Sequence, residues 1–234
     1  MRKRLVLLIL AAVLLCPLFA ANAETEYRTD LRIPRVISTY ECGCEHTYLG
    51  AMVGRYGMVL SPYSIYCGEH GKKYTKITFE FGFTAEGEPV TEYSGKFSFE
   101  AYEALQKKPP KWENIIAYIK FREPVGDRTG WFECRVVPDG ELEGRELIRR
   151  RNVTAWTDSA GIQEDRITPD IEGEKELSYE RGDFVTGTPV LLKTEEGGEV
   201  LVGLCNCWHG SRNYIRRITK RVYNDMKNAG VLPK

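Results

Sequence analysis

The sequence predicts a mostly β chain closed by a single C-terminal helix, on the strength of three patterns. Ile77, Phe79, Phe81 and Phe83 alternate with Thr78, Glu80 and Gly82, a period of two that puts four large apolar side chains on one face of a strand. Other short apolar runs follow, separated by clusters of turn-forming residues, as in sandwiches and barrels. Only near the C-terminus does the apolar spacing become helical.

Taken in order, Phe97 and Phe99 repeat the alternation after the turn-rich Ala85-Glu-Gly-Glu-Pro89. Residues 115–121 form a nearly continuous apolar run interrupted by Lys120, which predicts a strand buried on both faces. Residues 190–192 and 200–204 flank Thr194-Glu-Glu-Gly-Gly198, a hairpin with glycine where positive φ is needed. The polar stretch 157–181, with Asp158, Glu164, Asp165, Asp170, Glu172, Glu174 and Glu176, reads as a set of loops. Its spacing matches no calcium loop, so solvated charge is the expectation. From Asn213 onward Ile215, Ile218, Val222 and Met226 predict a helix stopped by Gly230 and Pro233. Its opposite face would carry Arg216, Arg217, Lys220, Arg221 and Lys227 into solvent.

The N-terminus reads as a leader. Arg2, Lys3 and Arg4 precede an apolar run, and Ala21-Asn22-Ala23 supplies a small-x-small exit, so residues 1–23 are expected to be a secretory signal peptide cleaved before Glu24. Cys16 follows Leu15, where a lipoprotein anchor needs a small residue. No other stretch is apolar enough to span a membrane, so no span is expected after cleavage. The whole chain of 234 residues balances 33 basic against 33 acidic side chains, and the leader removes three basic ones and no acidic one. The remainder is mildly acidic, which argues against nucleic acid as a partner.

Six of the seven cysteines lie beyond the leader: Cys42, Cys44, Cys67, Cys134, Cys205 and Cys207. An even number in an exported chain points to disulfides, with the pairing open. A competing reading is zinc, because Cys42-Gly-Cys44-Glu-His46 and Cys205-Asn-Cys207-Trp-His209 share the spacing Cys-x-Cys-x-His. Disulfides are the preferred reading, and no metal or other cofactor is expected.

Three stretches, in order, resemble the trypsin-like serine proteases, particularly the bacterial glutamyl endopeptidase branch. Val59-Leu60-Ser61-Pro-Tyr-Ser64 is similar to the family's Val-Leu-Thr-Ala-Ala-His, and Ser64 stands where the general-base histidine belongs. Residues 117–132, with Pro124-Val125-Gly126 and Thr129-Gly130-Trp131-Phe132, resemble the segment following the family aspartate. An ungapped match puts Ile115 at the aspartate position and Asn114 one residue earlier. Gly182-Asp-Phe-Val-Thr-Gly-Thr-Pro-Val190 resembles the nucleophile segment, with Thr186 at the serine position and Phe184 replacing a glycine of the oxyanion loop.

The resemblance implies two six-stranded antiparallel β-barrels of the chymotrypsin/trypsin type with a C-terminal α-helix. On this scheme a 24–35 extension precedes barrels over 36–121 and 122–212 and a helix over 213–230. It also implies a degenerate triad at Ser64, Ile115 and Thr186. A hydroxyl at Ser64 is far too weak a base to accept a proton near neutral pH, Ile115 cannot stabilise an imidazolium, and the Thr186 methyl restricts χ1 and crowds attack. The protein is therefore expected to be a secreted or extracytoplasmic protease homologue without catalytic residues, binding a peptide or protein in the inter-barrel cleft near Leu204, Cys205 and Asn206. The alternative is an active hydrolase using Thr186 with His70. Cys205 stands where the glutamyl branch usually carries a histidine, so glutamate specificity is not expected. Arg35-Val36-Ile37 resembles an activation site, but Val185 occupies the position of the aspartate that would receive a new N-terminus.

Overall fold

The computed structural model describes residues 29–67, 69–84, 87–104, 116–153, 161–180, 182–183 and 185–233. The leader, Asn114, Ile115, Asp158 and Phe184 lie outside the described residues.

Six strands form the first sheet: β1 (Arg35–Tyr40), β2 (Glu45–Met52), β3 (Gly57–Leu60), β4 (Tyr74–Glu80), β5 (Phe99–Ala104) and β6 (Ile116–Phe121). Their order is β4-β1-β2-β3-β6-β5, all antiparallel. A bridge between Phe79 and Gly95, just before β5, draws the two edges together, with backbone bonds of 3.0 and 2.8 Å. The alternating residues Ile77, Phe79, Phe81 and Phe83 are all buried. Phe79 meets Phe99 and Phe121 edge to face at 5.6 and 5.2 Å, so the barrel interior is an aromatic lattice in the geometry that ring quadrupoles favour.

The second sheet contains β7 (Glu133–Cys134), β8 (Leu147–Val153), β9 (Gly161–Ile167), β10 (Asp170–Ile171), β11 (Glu176–Glu180), β12 (Pro189–Lys193), β13 (Glu199–His209) and β14 (Arg212–Arg217). It runs β10-β11-β14-β13-β12-β8-β9, with β7 beside β13 in the one parallel pairing. Eight strands rather than the expected six arise because two-residue β7 and β10 add to the six long ones. Numbered separately in chain order, the six long strands of each sheet follow one circular order, 1-2-3-6-5-4. The halves thus share a topology that no sequence repeat announces.

Short helices α1 (Gly126–Thr129) and α2 (Asp139–Leu142) lie in connections, and α3 (Lys220–Asn228) closes the chain. The helix expected from Asn213 begins seven residues later. Ile215 and the arginines beside it belong to β14, paired with both β11 and β13. Thr219 caps α3, its hydroxyl accepting from the Val222 N–H at 3.3 Å. Arg216 and Arg217 consequently leave the expected solvent stripe: both are buried, paired with Glu176 at 3.0 Å and Asp139 at 2.5 Å.

The described part of the acidic stretch, 161–180, is mostly strand rather than loop. It supplies β9, β10 and β11, and three of its carboxylates pair with arginines while staying partly exposed: Asp165 with Arg149 at 2.8 Å, Glu164 with Arg150 at 2.5 Å, and Asp170 with Arg212. A run of like charges reads as loop when the partners that neutralise it lie on other strands.

Apolar burial forms three clusters, one inside each barrel and one between them under α3. The middle cluster joins Leu49 and Val59 of the first barrel to Leu191 and Leu204 of the second, with Val222 and Met226 of α3 packed against them. This seam holds the candidate site in place.

Candidate functional site

Ser64 ends a 3-10 turn (Pro62–Ser64) that follows β3, and Pro62 at its start presets the turn. The residue is fully buried, its carbonyl accepts the Ser38 hydroxyl at 2.8 Å, and its own Oγ finds no hydrogen-bond partner among the described residues. Three residues earlier, Ser61 donates to Asn206 Oδ1 across the seam at 3.2 Å. Asn206 is buried and leaves its Nδ2 without a partner. Small polar groups therefore occupy this part of the seam, and none is a competent base near neutral pH.

Thr186 lies just before β12 in a β-turn over 185–188, closed by the Thr188 N–H to the Val185 carbonyl at 3.2 Å. Gly187 is the third residue of this turn at φ +87°, where an L side chain is strained. A Cβ there would also fall 1.9 Å from the Leu49 carbonyl oxygen. The Leu49 N–H donates to the Thr186 carbonyl at 3.0 Å, so the turn is fastened to β2 of the first barrel. Glycine is required because two backbones touch there. Thr186 itself is half-buried.

The three histidines are placed elsewhere. His46 packs beside Tyr40 and Tyr48 at ring separations of 5.9 and 6.3 Å. His209 ends β13 at the exposed rim. His70 is exposed and groups with Cys42, Cys44 and Cys67, all four donor atoms lying within 4.8 Å of one another. No hydrogen bond joins Thr186 to any histidine among the described residues.

The competing zinc reading, which grouped Cys42 and Cys44 with Cys205 and Cys207, does not match the geometry. Cys42 and Cys44 associate with Cys67 and His70, whereas Cys205 is buried beside the Tyr179 hydroxyl at 3.6 Å and does not belong to the group. Burial raises the Cys205 thiol to about 11, against the smaller opposing effects of Tyr179 and Arg149. The Cys44 backbone N–H lowers the Cys42 thiol, and the Cys42 thiol in turn raises Cys44 to about 11. Nor are the expected disulfides formed: all six cysteines are free. Cys205 is enclosed in the second barrel, Cys134 packs against the seam between the barrels, and Cys207 sits farther along β13.

Leu204 and Asn206 face the seam from β13, whereas Cys205 between them turns into the second barrel beside Tyr179, so it is not the cleft residue that was expected; all three are buried. The β12–β13 ladder ends at Leu204, while β13 continues beside β14 to His209. An open groove of about 820 Å³, lined by Arg55, Tyr56, Lys120, Arg122, Trp131 and Val231, lies against the C-terminal tail and includes neither Ser64 nor Thr186.

Three features escaped the sequence: the Ser61–Asn206 link, the Arg149–Tyr179–Cys205 cluster, and the joining of Cys67 and His70 to the first cysteine pair. The last had a local signal, because Cys67-Gly-Glu-His70 has the Cys-x-x-His spacing of a ligand pair.

Arg35-Val36 has no exposed loop of its own. It starts β1, paired to Leu49 on one side and to Glu80 on the other, with the Arg35 side chain on Glu80. The preceding residues are clamped to the second barrel by Asn152, which donates to the Asp30 and Ile33 carbonyls at 2.9 and 2.7 Å.

No protein-family model matches the chain, and no curated protein matches its sequence. Solved structures do match. A Glu endopeptidase shares 14% identity at TM-score 0.65, covering 88% of this chain and 94% of its own. The HL collagenase shares 13% at 0.63, covering 89% and 98%. An inactivated protease paralogue of the scabies mite shares 14% at 0.60, covering 87% and 97%. At such identities the likeness establishes the fold, a chymotrypsin-type double β-barrel, and leaves the chemistry to the residues.

Proposed function

On this chymotrypsin-type double barrel, we propose a protein without protease chemistry that binds an extended peptide or protein segment along the cleft between its barrels, after export directed by residues 1–23. The observation that carries the reading is at the base position. Ser64, which the resemblance puts there, is buried with a hydroxyl unpartnered among the described residues, and the three histidines are engaged or exposed elsewhere. Without a base, the Thr186 hydroxyl keeps its proton near neutral pH and remains a poor nucleophile. Loss of one member of such a triad removes several powers of ten in rate, because the members act as a unit.

That an inactivated protease paralogue is built on the same fold supports the reading by analogy. The alternative pair of Thr186 with His70 requires hydrogen-bond reach, about 2.6–3.2 Å, and His70 instead stands among three thiols.

A bound segment would meet the β13 backbone beyond Cys205, whose N–H and carbonyl already engage Thr188 and Gly187, along 206–209, where the ladder runs to β14 alone among the described strands. Trp208, 57% exposed, would offer an aromatic surface alongside. The test is the dissociation constant of fluorescent casein peptides for the mature protein and for Thr186→Ala. Measurable binding that stays within about twofold in the variant is expected if Thr186 performs no chemistry. Loss of binding and of turnover together in Thr186→Ala would overturn the reading, as would the absence of peptide binding to the folded parent.

A further inference from the structure

The thiol and imidazole cluster at the tip of the first barrel is built from two turns that the backbone ties together. The first is the three-residue hairpin loop between β1 and β2. The Gly43 N–H donates to the Tyr40 carbonyl at 2.9 Å, the Tyr40 N–H donates to the Cys44 carbonyl at 3.0 Å, and Gly43 takes φ +83°. Glycine in the left-handed region is what a three-residue hairpin loop of this kind calls for, and Cys42 and Cys44 flank it.

The second turn follows the Pro62–Ser64 element. The Cys67 N–H donates to the Lys72 carbonyl at 2.8 Å, the Gly71 N–H donates to the Cys67 carbonyl at 2.7 Å, and Gly71 takes φ +63°. Cys67 is thus at the base of this loop and His70 near its tip. The Glu41 N–H donates to the Lys73 carbonyl at 3.0 Å, joining the two turns.

From this arrangement we propose that Cys42, Cys44, Cys67 and His70 bind one Zn²⁺ ion, as a Cys₃His site that fastens the two turns together. Each turn contributes a pair of donors, Cys-x-Cys from one and Cys-x-x-His from the other. Zinc bonds of about 2.3 Å to sulfur and 2.0–2.1 Å to nitrogen set tetrahedral donor separations of roughly 3.3–3.8 Å. The four donors already lie within 4.8 Å of one another, so small side-chain adjustments close the site. Soft thiolates with imidazole select zinc over the hard cations calcium and magnesium.

A disulfide explains less of the geometry. It would join two of the three sulfurs and leave one thiol and the imidazole converging on nothing, whereas one ion uses all four groups. On binding, three S–H protons pass to solvent as three Zn–S bonds form, and neutral His70 donates a nitrogen lone pair, giving a centre of net charge −1. Affinity should accordingly fall as pH is lowered. The ion would brace the segment carrying Ser64, which ends three residues before Cys67, whether or not the cleft binds peptide.

The decisive experiment uses the mature chain, fully reduced and shown folded by circular dichroism, dialysed with Zn²⁺ and measured by elemental analysis. A parallel sample takes Co²⁺, whose visible spectrum reports tetrahedral thiolate ligation. One equivalent of metal is expected, with a tetrahedral cobalt spectrum and a melting temperature lowered by a chelator. His70→Ala changes an exposed side chain and should leave the fold intact while weakening zinc by roughly 100-fold. Cys67→Ser should abolish thiolate-rich cobalt ligation, and Cys207→Ser should leave it unchanged. A folded, reduced parent that takes up no stoichiometric zinc would overturn the site. So would undiminished binding in both His70→Ala and Cys67→Ser.

Discussion

The two barrels run their long strands in one circular order yet are held together by different forces. The first is filled by rings: Phe79, Phe81, Phe97, Phe99 and Phe121 contact one another. The second has an aliphatic interior of Val190, Leu192, Val200, Val202 and Ile215, and arginines brace it from β8 and β14. Arg150 illustrates the bracing, meeting Glu199, Glu164 at 2.5 Å and Asp30 at 3.1 Å while its side chain is 9% exposed. The comparison teaches that strand order does not dictate core chemistry. Rings fill one barrel, and in the other arginines are enclosed where partners on other elements neutralise them.

The contrast can be broken most severely at its aromatic end. Phe79→Ala should destabilise the protein by about 3–5 kcal/mol, because Phe79 is fully buried and touches Phe81, Phe97, Phe99 and Phe121; chemical denaturation measures this directly. In the second barrel Arg150→Ala should cost about 2 kcal/mol, less than a fully orphaned buried charge, because the enclosed Asp30 and Glu199 carboxylates keep only Arg32 as a cationic partner. Replacing Arg150, Asp30 and Glu199 together with apolar side chains should recover much of that loss. If the triple variant were as unstable as Arg150→Ala, the charges would be adding stability in their own right.

A smaller effect should appear in acid. Burial pushes the Asp30 carboxyl up, but the hydrogen bonds and charge of Arg32, with the charge of Arg150, outweigh it and hold the pKa below the ordinary value. At Glu199 burial also pushes up, and Arg150 and then Arg32 outweigh it. Both carboxylates therefore contribute stability that is complete above the unfolded carboxylate range, near pH 4, and is lost as pH falls through their lowered folded values. Thermal melts from pH 6 downward should show this loss, and Asp30→Asn with Glu199→Gln should flatten the acid limb. Near the bottom of the scale, Thr219→Ala should cost about 1 kcal/mol by removing the cap of α3. Breaking the Arg166–Glu146 pair, both of whose side chains are at least half exposed, should change stability by less than about 0.5 kcal/mol.

Legibility in the sequence followed the same division. The aromatic barrel could be read locally, because alternation at 77, 79, 81 and 83 reports burial along β4 and the extended segment just past its end at Glu80. The arginine-braced barrel could not. Asp165 and Glu164 read as loop because Arg149 and Arg150, which neutralise them, stand on another strand. Ile215 and Ile218 fitted a helical spacing, but Ile215 is buried on a strand while Ile218 lies past its end. Two apolar residues three apart cannot distinguish a helix from a strand that is about to leave its sheet.

At the site, Ser64 and Thr186 were singled out by the motifs around them, whereas the convergence of Cys67 and His70 on Cys42 and Cys44 depends on two turns meeting in space. The Ser61–Asn206 bond, spanning the two barrels, had no local signal at all.

The central claim is that the fold persists without the chemistry of a serine protease, and a fluorophosphonate probe for activated serine and threonine nucleophiles tests it most directly. The mature, folded protein should remain unlabelled at concentrations that label trypsin completely. Labelling that disappears in Thr186→Ala would contradict the account and place a working base beside Thr186.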